Sequence, residues 1–226
     1  MIYVLSDIHG HEGRFASIMK QINLQPEDTL YVLGDVIDRH PGGIRILRKI
    51  MAMPNCKMLL GNHEYMMLRA LGEPVDENAD DGRAKDHWYR NGGRVTHIHW
   101  KCIRKTLRRE ILDYLHSLPL RYDVEINGKR HILVHGSTPE GFDGTPPYLT
   151  PVHYAVWKRL EAWEWQGEET LIFGHTPTRH YQDCDPMEIW HGENCVGIDC
   201  GGGYPEGGQG RLACLRLDDG KVFYSD

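Results

Sequence analysis

Five times along this chain an apolar run ends in a glycine beside a side chain that can bind a metal or carry a proton. The run ends read Ser6-Asp7-Ile8-His9-Gly10, Gly34-Asp35-Val36-Ile37-Asp38-Arg39, Gly61-Asn62-His63-Glu64, His135-Gly136 and Gly174-His175. The runs have the length and composition of buried strands, and open α/β sheets hold ligands beyond the carboxyl ends of their strands. Any one of these tips could be a polar turn; Asn62 alone would pass for a helix N-cap. Five together are not independent turns. The glycines let backbone and ligand approach closely, so the pattern demands a fold that gathers strand ends at one place.

The order of elements supports this. Residues 2–6 read as a strand, 11–22 as an amphipathic helix with Phe15, Ile18, Met19 and Ile22 on one face, and 29–33 as a second strand. A helix over 42–52 and a strand over 56–60 complete two crossovers, so the opening is α/β with parallel strands. A helix is expected from Glu64 to about 71, then an acidic loop over 72–86, a short helical piece over 87–91 and a helix over 104–117. The second half is β-rich: 120–126 and 130–134 flank Asn127-Gly128, a strong hairpin signal, and strands follow at 170–173, 195–198, 211–217 and 221–225. Neither a linker nor a repeat divides the 226 residues, and a single domain is expected.

Composition narrows the classes. A net charge of −6 without a long basic run argues against a nucleic-acid scaffold held by phosphate contacts. No run approaches a membrane span, and the chain passes from Met1 straight into a strand, so a cytoplasmic location is expected. Six cysteines without a C-x-x-C pair fit a reducing compartment.

The strand-tip side chains offer two carboxylates (Asp7, Asp35), an amide (Asn62) and three imidazoles (His9, His135, His175), with no thiolate. Such a set excludes a closed Cys-rich zinc site and suits manganese, iron, zinc or magnesium. Six ligands exceed the needs of one four-coordinate ion, so two ions sharing a carboxylate are more economical, with Asp35 on the middle strand as the natural bridge.

The order D-x-H-G, G-D-x-x-D-R, G-N-H-E, H-G, G-H over residues 7–175 resembles the calcineurin-like metallophosphoesterases, and within them the small bacterial and phage serine/threonine protein phosphatases. His87-Trp88-Tyr89-Arg90-Asn91-Gly92-Gly93 and Trp157-Lys158-Arg159 are similar to their W-x-x-N-G-G and W-x-R segments. The resemblance implies a four-layer α/β/β/α sandwich with two divalent ions, manganese first among them. Asp7 and His9 would hold one ion, Asp35 both, and Asn62, His135 and His175 the other. Arg39 and Arg159 would grip the substrate phosphate, with Asn62 beside it. His63 would donate the proton to the leaving group, partnered by Asp38. A water shared by the ions would ionise near neutral pH and attack phosphorus. The expected substrate is a phosphorylated protein or small phosphomonoester, with phosphotyrosine also open.

Ser6 and His40 depart from that pattern, both standing where Gly is usual. His40 is expected to begin the next helix ahead of Pro41, and Glu64 to open the helix after its turn. One rival is a symmetrical dinucleoside tetraphosphatase, whose relatives tend to lack the Asp of Asp-Arg and read G-N-H-D. The other is a non-catalytic phosphate-binding module, which would need a broken ligand set. Bland readings are preferred elsewhere: packing for His97 and His99, a solvated loop for Asp76 to Asp81, core or groove wall for Trp157, Trp163 and Trp165, and a turn for Gly201-Gly202-Gly203. The segment 72–103 is expected to set substrate choice.

Overall fold

The apolar runs become two five-stranded sheets packed face to face. The structure, a computed structural model, describes residues 1–76 and 82–225. The first sheet starts with β1 (Ile2–Leu5), crosses through α1 (Glu12–Ile22) to β2 (Thr29–Val32), and through α2 (Gly43–Ala52) to β3 (Cys56–Met58). These three strands are parallel, with Leu5 opposite Val32 and Val32 opposite Met58. Helices α3 (Asn62–Ala70), α4 (Ala84–Arg90), α5 (Arg94–Cys102) and α6 (Lys105–Ser117) follow. The second sheet opens with the expected hairpin, β4 (Arg121–Ile126) and β5 (Lys129–Val134), turned by Asn127 and Gly128 at φ 53° and 73°.

After α7 (Pro151–Trp157) come β6 (Thr170–Phe173), β7 (Trp190–His191) and β8 (Cys195–Gly197), which finish the second sheet in the order β4-β5-β6-β8-β7. The chain then returns as β9 (Ala213–Arg216) and β10 (Val222–Tyr224), giving the first sheet the order β10-β9-β1-β2-β3.

Strict alternation builds the layers. Val4, Tyr31, Leu33, Leu133 and Ile172 point between the sheets, while Leu5, Leu30 and Val32 point out against Phe15, Ile18, Leu47 and Ile50 of α1 and α2. On the far side Ile132, Val134, Leu171 and Phe173 face Leu160 and Trp165 of the irregular segment after α7. Each such fully buried aliphatic side chain contributes about 1.5–3 kcal/mol of transfer free energy. All six cysteines are free thiols, three of them buried. Among the described residues no helix is long and apolar enough to cross a membrane.

Several boundaries differ from the sequence reading. Strand β3 ends at Met58, although Leu59 N–H still donates to Val32 O at 2.9 Å, so the run stays extended to the motif. Residues 84–102, of which only 87–91 were expected to be helical, form two helices. Gly92 and Gly93 read as a break, the β-branched Val95, Thr96 and Ile98 lower the propensity of α5, and burial of Thr96, His97 and Trp100 overrides it. His97 is indeed packing: its Nδ1 lies 2.5 Å from the Tyr89 hydroxyl. Helix α7 carried a readable signal, Thr150 capping His153 N–H with Pro151 at the first turn. The acidic stretch from 77 to 81 lies outside the described residues. The expected turn at Gly201 forms, with φ 75°.

Candidate metal centre

Every strand-tip motif arrives at the same end of the sandwich. Asp7 and His9 follow β1, Asp35 follows β2, Asn62 and His63 open α3 after β3, His135 follows β5 and His175 follows β6. All are buried. The ladder continues past the strands to place them: His9 N–H donates to Asp35 O at 2.9 Å and Gly10 N–H to Val36 O at 2.7 Å. The two sheets are stitched together at the site, where His175 N–H donates to Asp7 Oδ2 at 3.0 Å.

The backbone here is held in unusual conformations. Eight non-glycine residues have positive φ among those described, and six are site residues: Asp7, His9, Asp35, Asp38, Arg39 and His175. Such conformations persist only where the surroundings over-determine them. At Gly61 a Cβ would sit 2.3 Å from Asp35 Oδ1 and 2.7 Å from Glu64 Oε2, so no other residue fits.

Two groups of donors converge. His9, Asp35 and His63 form one, and Asp35, His135 and His175 the other, each with ligating atoms within 4.8 Å of one another. Asp35 belongs to both: its Oδ2 lies 3.6 Å from His9 Nε2, and its Oδ1 lies 3.4 Å from His135 Nε2. Asn62 Oδ1 sits 2.9 Å from both His135 Nε2 and His175 Nδ1. Asp7 Oδ1 lies 3.7 Å from His9 Nε2. The arrangement thus brings together all six expected ligands.

Hydrogen bonding sorts the four imidazoles. His9 turns Nδ1 to Ile37 O at 3.2 Å, His135 turns Nδ1 to Leu33 O at 2.6 Å, and His175 turns Nε2 to Trp157 O at 3.1 Å. A carbonyl accepts only, so each ring donates outward and aims a bare nitrogen lone pair at the centre, as a metal-ligating histidine does. Burial holds His9 and His175 well below the ordinary imidazole value and lowers His135, which keeps those lone pairs free. His63 differs. Its Nδ1 lies 2.7 Å from Asp38 Oδ2, a carboxylate that also accepts the Trp88 indole N–H at 2.8 Å.

Carboxylate crowding completes the fit for cations. Burial pushes Asp35 well above the usual range, with His63 opposing and Asp7 and Glu64 adding to the shift. A divalent ion relieves both the desolvation and the like-charge repulsion. The donor set of carboxylate and amide oxygens with imidazole nitrogens accepts such an ion directly.

At the mouth stand the two exposed arginines. Arg39 Nη2 lies 3.4 Å from His63 Nε2, and Arg159 Nη1 donates to His175 O at 3.1 Å. The segment 88–96 holds the first of them. Arg39 N–H donates to Gly92 O at 3.3 Å, and Asp38 N–H donates to Thr96 Oγ1 at 3.0 Å.

Two residues do something other than expected, and a third, Ser6, gains a partner. Glu64, in the first turn of α3, turns its carboxylate away from the helix end: Oε2 accepts Asp35 N–H at 2.9 Å, and Oε1 accepts Val36 N–H at 2.9 Å and Ile37 N–H at 3.3 Å. It freezes the loop that carries Asp35. His40 starts no helix, since α2 begins at Gly43; its Nε2 lies 3.2 Å from Gly203 O and its ring packs 4.6 Å from His11. Ser6 donates its hydroxyl to Asp7 Oδ2 at 2.5 Å.

Two further residues were not anticipated. Asp199 is buried, accepts Gly201 N–H at 2.9 Å, and is pushed up to about 8 by burial with Asp7 adding to it. The signal was present, because Asp199 too follows an apolar strand end, Val196-Gly197-Ile198. Arg14 inserts from α1 and donates to the carbonyls of Gly202 and Tyr204, both at 2.9 Å, clasping the turn that covers His9. Nothing in its sequence neighbourhood marks it.

Comparison with known proteins places the chain in a family. Residues 1–200 match the family model for calcineurin-like phosphoesterases. Serine/threonine-protein phosphatase 2 of Salmonella typhimurium is 29% identical over 186 residues, covering 77% of this chain and 78% of that protein. The symmetrical bis(5'-nucleosyl)-tetraphosphatase of Erwinia tasmaniensis is 34% identical over 86 residues, only 37% of this chain and 31% of that protein. Among solved structures, a metallophosphoesterase from Sphaerobacter thermophilus superposes with TM-score 0.59 at 17% identity, covering 99% of this chain and 87% of that one. A protein serine/threonine phosphatase from Saccharomyces cerevisiae superposes with TM-score 0.57 at 15% identity, covering 99% and 78%. At such identities the superpositions establish the fold, a mixed α/β sandwich of this family.

Proposed function

The chain belongs to the calcineurin-like phosphoesterases, and from that membership we propose that it hydrolyses phosphomonoesters on serine and threonine side chains of proteins. In this reading Asp7, His9 and Asp35 hold one divalent ion, and Asp35, Asn62, His135 and His175 hold the other, with manganese the first candidate. Two such ions would supply Lewis acidity and bring the pKa of a water toward neutrality. Arg39 and Arg159 then grip the phosphoryl oxygens from the mouth, as planar guanidinium forks suit a dianionic monoester. Six free thiols and the absence of a spanning helix among the described residues suit action in a reducing cytoplasm.

The observation that carries the reading is the pair His63–Asp38. An alkoxide is a poor leaving group, so its departure needs a proton, and His63 is the one imidazole of the four backed by a carboxylate instead of a carbonyl. Asp38 orients the ring through Nδ1 and so fixes Nε2 toward the mouth beside Arg39. His63 also lies within the first donor group, with Nε2 3.8 Å from Asp35 Oδ2. The Arg39 guanidinium 3.4 Å from that nitrogen, itself a cation, weighs against a metal ion there and so favours the acid role.

A second reading rests on the local match to symmetrical tetraphosphatases, which would make the substrate a phosphoanhydride. Asp38 and Glu64 weigh against it. Metal analysis joined to a panel of phosphoserine, phosphothreonine and phosphotyrosine peptides and diadenosine tetraphosphate decides. The expected result is two ions per chain and the highest kcat/KM on phosphoserine or phosphothreonine peptides; faster cleavage of the dinucleotide overturns the proposal.

A further inference from the structure

Beside the metal centre a cavity of about 420 Å³ opens between α3, α4 and α7. Its inner wall is Trp157, the residue whose carbonyl oxygen stands 3.1 Å from His175 Nε2, so wall and candidate ligand share a residue. Tyr65 and Met66, directly after Asn62-His63-Glu64 on α3, form its floor. The cavity thus adjoins the candidate centre through Trp157.

Its chemistry is cationic and donor-rich. Among the described residues three guanidinium groups, Arg69, Arg83 and Arg90, and one carboxylate, Asp86, line it; Arg69 and Arg83 have partners of their own, and Asp76 reaches the edge as acceptor of the Tyr65 hydroxyl at 2.7 Å. Arg90 forms no hydrogen bond or ion pair with any described residue, and it borders the shallow depression next door as well. Trp157 Nε1 and His153 Nδ1 are buried without a hydrogen-bond partner. Both belong to residues that line the cavity, and an indole N–H can only donate.

The rings of the wall are already engaged with one another: Trp157 stacks with His87 at 5.4 Å and an interplanar angle of 19° and with His153 at 6.0 Å and 24°. That weighs against a slot built to stack a nucleobase. What fits is a chain with an anionic group.

Resting on the phosphatase reading, we propose that this cavity is a specificity subsite that binds a carboxylate-bearing residue flanking the phosphorylated serine or threonine. Arg90 is its specificity-determining residue, and the substrates it selects are acidic phosphopeptides. Cationic peptides are rejected by the same guanidinium groups.

The test uses the manganese-loaded full chain and phosphoserine peptides that are identical except for Glu, Ala or Lys at the flanking positions. For the wild type, kcat/KM should be roughly 5- to 10-fold higher with Glu than with Lys, the scale of one charge-assisted contact at a partly exposed site, and the difference should lie in KM. Arg90→Glu should erase or invert that ratio. Because the readout is a ratio within each protein, partial loss of folded enzyme does not blur it, and the wild-type ratio stands without any variant.

Equal kcat/KM across the wild-type series, or an unchanged ratio in Arg90→Glu, overturns the subsite. So does an Arg90→Glu change that raises KM only for diadenosine tetraphosphate, since that assigns the cavity to a nucleotide. Loss of all phosphopeptide turnover in a wild type that still cleaves p-nitrophenyl phosphate overturns the protein phosphatase reading itself, and the subsite with it.

Discussion

The two donor groups that share Asp35 are held in different ways. His9, Asp35 and His63 come from neighbouring parallel strands of one sheet, within residues 9–63, and a continuous ladder of backbone bonds fixes them. His135 and His175 come from the other sheet, and they meet Asp35 and Asn62 because Leu33, Leu133 and Ile172 pack the sheets together, with hydrogen bonds from His135 Nδ1 to Leu33 O and from His175 N–H to Asp7 Oδ2 pinning the contact. One group is set by local pairing, the other by a core. The ion on the second side should therefore be the one that reports on the packing of the whole sandwich.

Removing the shared member should erase the difference. Asp35→Asn takes the bridging charge from both groups, so calorimetric titration should show neither ion bound tightly. Turnover should fall roughly 10,000-fold or more, as the several kcal/mol of charge stabilisation from each ion is lost. Retention of one tight site would mean that the groups are independent.

His63→Asn tests whether the first group contains an acid in addition to ligands. Hydrolysis of phosphoserine peptides should drop roughly 100- to 1,000-fold, while an activated aryl phosphate, whose leaving group needs no proton, should lose less than about 10-fold. Equal losses on both substrates, with one ion missing, would make His63 a ligand.

Leu133→Ala addresses the second group alone. It should destabilise the chain by about 2–5 kcal/mol. The affinity of the second ion should fall about 10-fold, at the low end of what loss of outer support does, with the first ion held within about threefold. Equal weakening of both ions would break the comparison.

The smallest effect is a pH slope. Asp35 and Asp199 are raised by burial, so without ions the folded chain keeps protons that the unfolded chain has lost. Stability therefore falls as pH rises toward about 8, by about 1.4 kcal/mol per pH unit for each such proton. His9, His135 and His175 are lowered, so below about pH 6.5 their protonation in the unfolded chain offsets what the raised carboxylates, Glu64 among them, contribute. Chelated protein should therefore lose Tm between about pH 6.5 and 8, and divalent ions should flatten this alkaline limb. An alkaline limb equally steep with ions present would remove the carboxylates as its cause.

The first group was legible in the sequence because its residues lie on consecutive strand tips, where motif and position coincide. The second was legible as chemistry but not as geometry, since no local pattern tells which sheet face His135 will meet. Glu64 shows a different limit. Its place in the first turn of α3 was readable, but the three amides it accepts lie 27 to 29 residues away and belong to another loop. Helix α5 escaped because its stability comes from Trp88, Thr96 and Trp100 packing inward, which propensity cannot register. Arg14 was invisible for the same reason: its partners are carbonyls 187 to 190 residues away.

Helix α3 begins with three successive residues of unlike duty: Asn62 touches both imidazoles of the second group, His63 faces the mouth, and Glu64 clamps the loop bearing Asp35. A single rigid rod thus governs every part of the centre at once. Heating should silence the protein in one sharp step, with no lingering half-competent form, because fraying that first turn dismantles all three arrangements together.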